Sequence, residues 1–366
     1  MGILSFVIIL GVLVFVHELG HFLVARWSGV TVKEFGFGFP PRIVGRQFGS
    51  TLVSMNWIPF GGFVLLQGEN GESKNEPGDF SRAAGWKKVA ILSAGVFMNA
   101  LLAWVIFSTT FAVGIVTDPT QVPHDSHARI SRISYQAVVS PDTAAAKAGL
   151  HDGDEVVSVN GTLYHNSDEL IAAIKTQNYP DLTVVTKQSS GSTSTVVIHP
   201  APAHGTDPRY GFGIQGSALV RYSWYVAPWY GIRAVGSAIG QTFVGFGQLA
   251  AGLSRGHVSQ DLTGPIGIAV LTSQVQQLGI ISLLQFAGLL SISLAVLNIL
   301  PLPALDGGRA FFVIWAAVTR KPVSQRTEMI VHAVGFYALI LLVVVISVHD
   351  VQRFSLVQRL TTLFRH

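Results

Sequence analysis

The chain has 366 residues, of which 49% are hydrophobic and 12% charged, with no cysteine and a formal net charge of +4. Its mean hydropathy is +0.47, and the apolar residues gather into long runs rather than at amphipathic spacing, which fits an integral membrane protein better than a soluble one. The missing cysteines exclude disulfides and cysteine-based zinc or nucleophile chemistry, and nothing in the modest charge calls for a nucleic acid partner.

The first apolar run covers about Ile3 to Ala25 and belongs to the stretch FVIILGVLVFVHELGHFLVARW, Phe6 to Trp27. It lacks a basic leader and a small-x-small cleavage pattern after His21, so it reads as a retained span rather than a signal peptide. A second run covers 89–117, a third 280–301 and a fourth 331–348, each long enough to cross ~30 Å of hydrocarbon as a helix. Lys and Arg are dense over 26–88 (Arg26, Lys33, Arg42, Arg46, Lys74, Arg82, Lys87, Lys88) and over 309–326 (Arg309, Arg320, Lys321, Arg326). By the positive-inside rule these loops face the cytoplasm, and the polar region between the second and third spans faces the other side.

Residues 30–66 are rich in aromatic and β-branched residues punctuated by Gly and Pro. They predict short strands, a hairpin-like element pressed against the spanning bundle. The polar, Gly-containing segment that follows completes a cytoplasmic loop over 67–88. Beyond the second span, ARISRIS, EVVSVNG, DLTVVTKQ and STVVIHPA read as strands. SDELIAAIKTQ reads as a helix over Ser167 to Gln177, with Ser167 as its N-cap. Asn160-Gly161 is the favoured pair for a type I′ turn, which outweighs its match to a glycosylation acceptor. The stretch AAAKAGLHDGDEVVSVNGTLYHNSDELIAAI, Ala144 to Ile174, resembles a PDZ domain, placed here over 128–202. In such a domain the loop Ala148, Gly149, Leu150 would receive a partner's C-terminal carboxylate; the alternative is a bulky filter against proteins with large outer domains. Residues 203–279 are expected to form an interfacial amphipathic region, its Trp and Tyr lying at the membrane surface. Their Gly density and Arg233 count against a fifth span over 222–253.

The chemistry sits inside the first span. His17, Glu18 and His21 form H-E-x-x-H, in which residues four apart share a helix face and can reach one zinc ion, with Glu18 placed to act on a water beside it. Ionisable residues in a membrane helix cost several kcal/mol unless something pairs with them, and a metal ion answers that cost. A third ligand is needed. NILPLPALDGGRAF, Asn298 to Phe311, offers Asp306 after the third span, within a loop whose Pro301 and Pro303 break the helix and whose Gly307 and Gly308 allow close backbone approach. With one span between them, the first and third spans run in the same direction, which brings both clusters to the cytoplasmic side. His332, near the cytoplasmic start of the fourth span, stays open as an alternative ligand.

HELGH, the PDZ-like insert, TGPIGIA at 263–269 and NILPLPALDGG together resemble the site-2 protease family of intramembrane zinc metalloproteases, within it the bacterial regulator of sigma-E protease branch. The resemblance implies Zn2+ held by His17, His21 and Asp306, Glu18 as catalytic acid/base, and Asn298 in contact with the substrate backbone. It implies a bacterial inner-membrane protein, with the active site near the cytoplasmic side and the PDZ-like domain outside. Implied substrates are single-pass membrane proteins such as an anti-sigma factor, or remnant signal peptides. The strand-like Pro59–Leu66, with Gly61, Gly62 and Phe63, is placed to add an extended substrate as a further strand, which the family also suggests. One departure is that well-known members of the branch carry two tandem PDZ domains, and one is found here. A metal transporter would also place His and Asp in the membrane, but the internal repeats typical of transporters are absent. A catalytically dead scaffold disagrees with the intact Glu18.

The expected fold is thus a polytopic α-helical membrane protein, with about four transmembrane helices in contact with membrane lipid, a membrane-associated β-hairpin element and one inserted PDZ-like α+β domain. Its third span carries the LDGG loop over 280–322, the fourth helix covers 328–350, and a tail covers 351–366.

Overall fold

The computed structural model describes residues 2–69, 76–119, 122, 127–177, 181–187, 192–200, 210–255, 263–321 and 323–353. Part of the expected loop (70–75), the junction at 201–209 and most of the expected tail (354–366) lie outside the described residues. The chain divides into two compact units, one made of residues 1–109 with 228–366 and the other of 110–227.

The first unit begins with α1 (Gly2–Trp27), β1 (Val32–Phe48), β2 (Thr51–Leu66) and α2 (Gly85–Val113). The expected short strands are two long ones that double back. Glu34, Phe35, Gly36 and Phe37 each sit opposite two partners, one from 52–55 and one from 62–65. This segment is therefore flanked on both sides, and the stretch 62–66 forms one margin of the sheet. Phe15 and Phe22 of α1 pack edge-on or tilted against Phe35, with centroids 5.7 and 5.2 Å apart, which seats the sheet on the helix.

α2 starts and ends four residues earlier than the run 89–117 suggested. Gly114, with φ +124°, breaks it, and the β-branched Ile115–Thr117 that follow leave the helix as strand β3.

The second unit is a six-stranded sheet with α-helical additions. Its elements are β3 (Ile115–Thr117), β4 (Ala128–Val139), α3 (Ala144–Lys147), β5 (Glu155–Val159), α4 (Ser167–Gln177), β6 (Leu182–Lys187), β7 (Thr193–Ile198) and β8 (Phe212–Tyr222). The strand order is β3-β8-β4-β5-β6-β7. Leu150, Val159, Leu170, Leu182, Val184, Ile198 and Ile214 close a core in which each is at most 2% exposed.

Three details differ from, or sharpen, the sequence reading of this unit. β8 falls in the stretch assigned to an interfacial region, and pairs along β4 from Ala128↔Tyr222 to Val139↔Phe212. Ser167 does not cap α4; Asn166 does, its Oδ1 accepting the Glu169 amide at 2.9 Å, while Ser167 Oγ bonds the Ile214 backbone. Glu169 in turn accepts the His165 amide, which holds its carboxyl below the usual value. Asn160 and Gly161 both have positive φ, and Val159 and Thr162 exchange backbone hydrogen bonds around them, as the Asn-Gly turn requires.

The first unit resumes with α5 (Ala227–Ser254), α6 (Pro265–Gln277), α7 (Ile280–Ile299), α8 (Asp306–Thr319) and α9 (Gln325–Arg353). Trp229, Ile232, Phe243 and Val244 of α5 are exposed. α1, α2, α7 and α9 are long and apolar enough to cross a membrane, consistent with a polytopic membrane protein. Hydrophobicity cannot drive such helices together in lipid, so small residues and hydrogen bonds do. A Cβ on Gly20 would lie 2.5 Å from the Ala94 carbonyl, so α1 and α2 meet backbone to backbone. Ser291 of α7 donates to the Asn99 carbonyl of α2 at 2.8 Å, and fully buried Asp350 of α9 accepts the Gly264 and Gly267 amides where α6 begins.

Candidate metal centre

The site is built by two helices that the chain separates by 289 positions. On α1, His17 and His21 share a face, and both are buried at 5% and 8% exposure. After α7 ends at Ile299, Ala304 takes a left-handed conformation with φ +71°, held by its amide donating to His332 Nδ1 at 2.8 Å. The chain then restarts as α8, so Asp306 stands in the first turn of a helix rather than in the expected loop. There the helix dipole favours an ionised carboxylate.

Asp306 Oδ2 lies 2.9 Å from His17 Nε2 and 3.2 Å from His21 Nε2, and the two Nε2 atoms are 3.1 Å apart. Burial opposes ionisation of Asp306, but the facing imidazoles more than offset it and hold its carboxyl well below the ordinary range. His332 is not part of this group among the described residues.

The donor set fits zinc. Two imidazole nitrogens and one carboxylate oxygen, all within 4.8 Å of one another, make the three-ligand pattern of a catalytic site that keeps one position open. Calcium or magnesium would call for an oxygen-rich set. His21 Nδ1 lies 2.7 Å from the Ile91 carbonyl, which can only accept, so Nδ1 carries a proton and Nε2 is the nitrogen turned to the cluster.

Gly95 of α2 makes room for this arrangement. A Cβ there would fall 2.5 Å from His21 Nε2 and 2.6 Å from His17 Cε1, so no larger residue fits without displacing the rings.

Glu18, His21 and Asp306 open onto a cavity of about 420 Å³, shared with Glu69, Arg309 and the Gly62–Leu66 margin of the sheet. Glu18 has no hydrogen-bond partner among the described residues, and a Cβ on Gly62 would come within 3.2 Å of its Cγ. The structure thus brings Glu18, Gly62 and Phe63 together with the ligand cluster; Gly61 lies beside them against Phe39. Asn298, in the last turn of α7, does not line the cavity.

In the Ala148–Leu150 loop the backbone amides are engaged within the domain. The amides of Ala148, Gly149 and Leu150 donate to the carbonyls of Ala144, Ala146 and Ala145, and the Leu150 side chain is in the core.

Three participants escaped the sequence reading. Glu69 and Arg309 form an ion pair at the cavity, with Arg309 one turn from Asp306 on the same face of α8. Asn99 of α2, wholly buried, places Nδ2 3.2 Å from His17 Nδ1. A lone amide in the middle of the run VFMNALLA was the available signal.

The family model described as Peptidase family M50 matches residues 5–342. A Clostridium perfringens protein provisionally named a zinc metalloprotease is 30% identical over 93% of the chain and 95% of its own length. The Bacillus subtilis protein named Regulator of sigma-W protease RasP is 27% identical over 97% of the chain and 99% of its own. The Geobacillus kaustophilus protein named Zinc metalloprotease RasP is 26% identical over the same shares.

Proposed function

Because the chain belongs to peptidase family M50, we propose that it is a zinc metalloendopeptidase that cuts peptide bonds in membrane-spanning segments. The observation that carries this reading is the meeting of His17 and His21 with Asp306 beside Glu18, at one end of helices long enough to span a bilayer. His17, His21 and Asp306 would hold the ion. Zinc, when bound, supplies a Lewis acid that brings the pKa of water toward ~7 and polarises the scissile carbonyl. Glu18, unpartnered and facing the cavity, takes the proton of the attacking water and delivers it to the leaving amine.

A spanning helix hides its amides in its own hydrogen bonds, so the substrate must be drawn out before it is cut. The Gly62–Leu66 margin, opposite Glu34–Phe37 on one side and facing the cavity on the other, supports docking of the extended chain as an added strand. Gly62 has no side chain to crowd Glu18. Among the described residues no other strand pairs with this margin.

The basic loops support a site toward the cytoplasm of a bacterial inner membrane and a 128–202 domain outside it. That domain, PDZ-like in sequence, serves as a size filter rather than a peptide binder, since its loop amides are engaged internally. The name of the Bacillus relative supports a role in releasing a sigma factor. The substrates are then single-pass membrane proteins of the anti-sigma type, with remnant signal peptides as a second class.

The test is cleavage of a single-span model substrate by the purified protein. Glu18→Gln is expected to lower the rate about 10²- to 10⁴-fold while zinc content stays at the native level. Unchanged cleavage would overturn the mechanism.

A further inference from the structure

Asn99 is the one polar side chain of α2 that touches the ligand cluster, and its two amide poles are used unequally. Nδ2 lies 3.2 Å from His17 Nδ1, whereas Oδ1 is buried with no hydrogen-bond partner. The Asn99 amide therefore faces His17 Nδ1, and either of its poles can be turned to the ring. An amide nitrogen there would leave the His17 proton on Nε2, facing Asp306 2.9 Å away.

That tautomer cannot ligate through Nε2, because the lone pair a metal needs is occupied by the proton. His21 avoids the problem, since the Ile91 carbonyl fixes its proton on Nδ1. His17 has no carbonyl in that place. It has an amide, and a half-turn about the last side-chain bond exchanges nitrogen for oxygen. After that turn Oδ1 accepts the Nδ1 proton and Nε2 is free for the ion. A hydrogen bond to His17 exists in either orientation.

We propose that Asn99 is a positioning residue that sets the tautomer of His17, its amide oxygen accepting the Nδ1 proton so that the ring is presented to zinc by Nε2. This inference rests on His17, His21 and Asp306 being the zinc ligands. Gly95 and Asn99, four apart on one face of α2, have complementary roles, since Gly95 admits the rings and Asn99 orients one of them.

The zinc dissociation constant of the purified full-length chain in detergent, measured by competition with a chromophoric chelator, decides the matter. Asn99→Leu, similar in volume but unable to accept a hydrogen bond, is expected to weaken zinc binding about 10- to 100-fold. Asn99→Asp, whose carboxylate accepts the Nδ1 proton, is expected to restore most of that loss. Ser291→Ala removes the hydrogen bond to the Asn99 backbone but leaves the amide in place, and is expected to bind zinc as the native chain does.

Native affinity in Asn99→Leu overturns the assignment. So does an Asn99→Asp chain as weak as Asn99→Leu, or an equal loss in Ser291→Ala, which would mark a packing effect. Failure of the underlying reading is separable: His17→Ala binding zinc like the native chain overturns the ligand set itself. Loss in His17→Ala with full affinity in Asn99→Leu overturns only the role of Asn99.

Discussion

Both units bury apolar side chains, but the helical unit also buries ionisable ones. In the sheet unit, Leu182, Val184, Ile198 and Ile214 are hidden because water rejects them, and their partners need only fit. In the helical unit Asn99, His17, His21 and Asp350 are buried although most of the surrounding chain is apolar enough for lipid. Each of these has a specific polar neighbour, because lipid offers none. Burial in the sheet unit therefore reports on stability, and burial of polar groups in the helical unit reports on chemistry or on helix docking.

That contrast makes predictions of unequal size. The largest belongs to Gly95→Val, whose added methyl groups must push the His17 and His21 rings aside. Displacement of catalytic groups by about 1 Å can cost on the order of 100-fold in rate, so model-substrate cleavage and zinc retention are both expected to fall. Native zinc content and rate in this variant would break the contrast.

Leu182→Ala, at a position with no exposure, is expected to destabilise the sheet unit by about 2–5 kcal/mol. Limited proteolysis of the full chain should show that unit cut at lower temperature, while cleavage of a small single-span substrate changes little. A fall in that cleavage as deep as in Gly95→Val would mean the two units do not divide stability and chemistry as argued. The smallest effect sharpens the same division: Asn166→Ala removes the cap of α4 and is expected to lower the stability of the sheet unit by about 1 kcal/mol, read as a small shift in the same proteolysis profile.

What could be read in the sequence follows the same physical line. His17, Glu18 and His21 were legible because helical spacing puts them on neighbouring faces and because ionisable groups in an apolar run need a reason. Asp306 was legible from proline-terminated helix ends and the parity of the spans. Asn99 carried the same kind of signal and was missed, since an amide attracts less attention than a charge.

β8 was hidden by its small residues: Gly213, Gly216, Ser217 and Ala218 dilute the alternation that the folded strand plainly has. The nearby aromatics of 222–230 then pulled the whole stretch toward an interfacial reading. The Ala148–Leu150 loop and Asn298 came from motif resemblance, and motif resemblance does not report where amides point or which residues line a cavity. Ser167 and Asn166 are both good caps; only the pull of the Ile214 backbone on Ser167 decides between them.

A strand margin at the cavity has a consequence for what such an enzyme would select. The edge formed by Gly62–Leu66 offers amides and carbonyls, groups that every residue but proline can match. Discrimination would then depend little on a sequence motif and strongly on how readily a segment surrenders its helix. A single glycine lowers helix preference by about 1 kcal/mol relative to alanine. Two or three well-placed helix-weakening residues would shift unwinding by a factor of tens to hundreds, making the instability of the victim the address that is read.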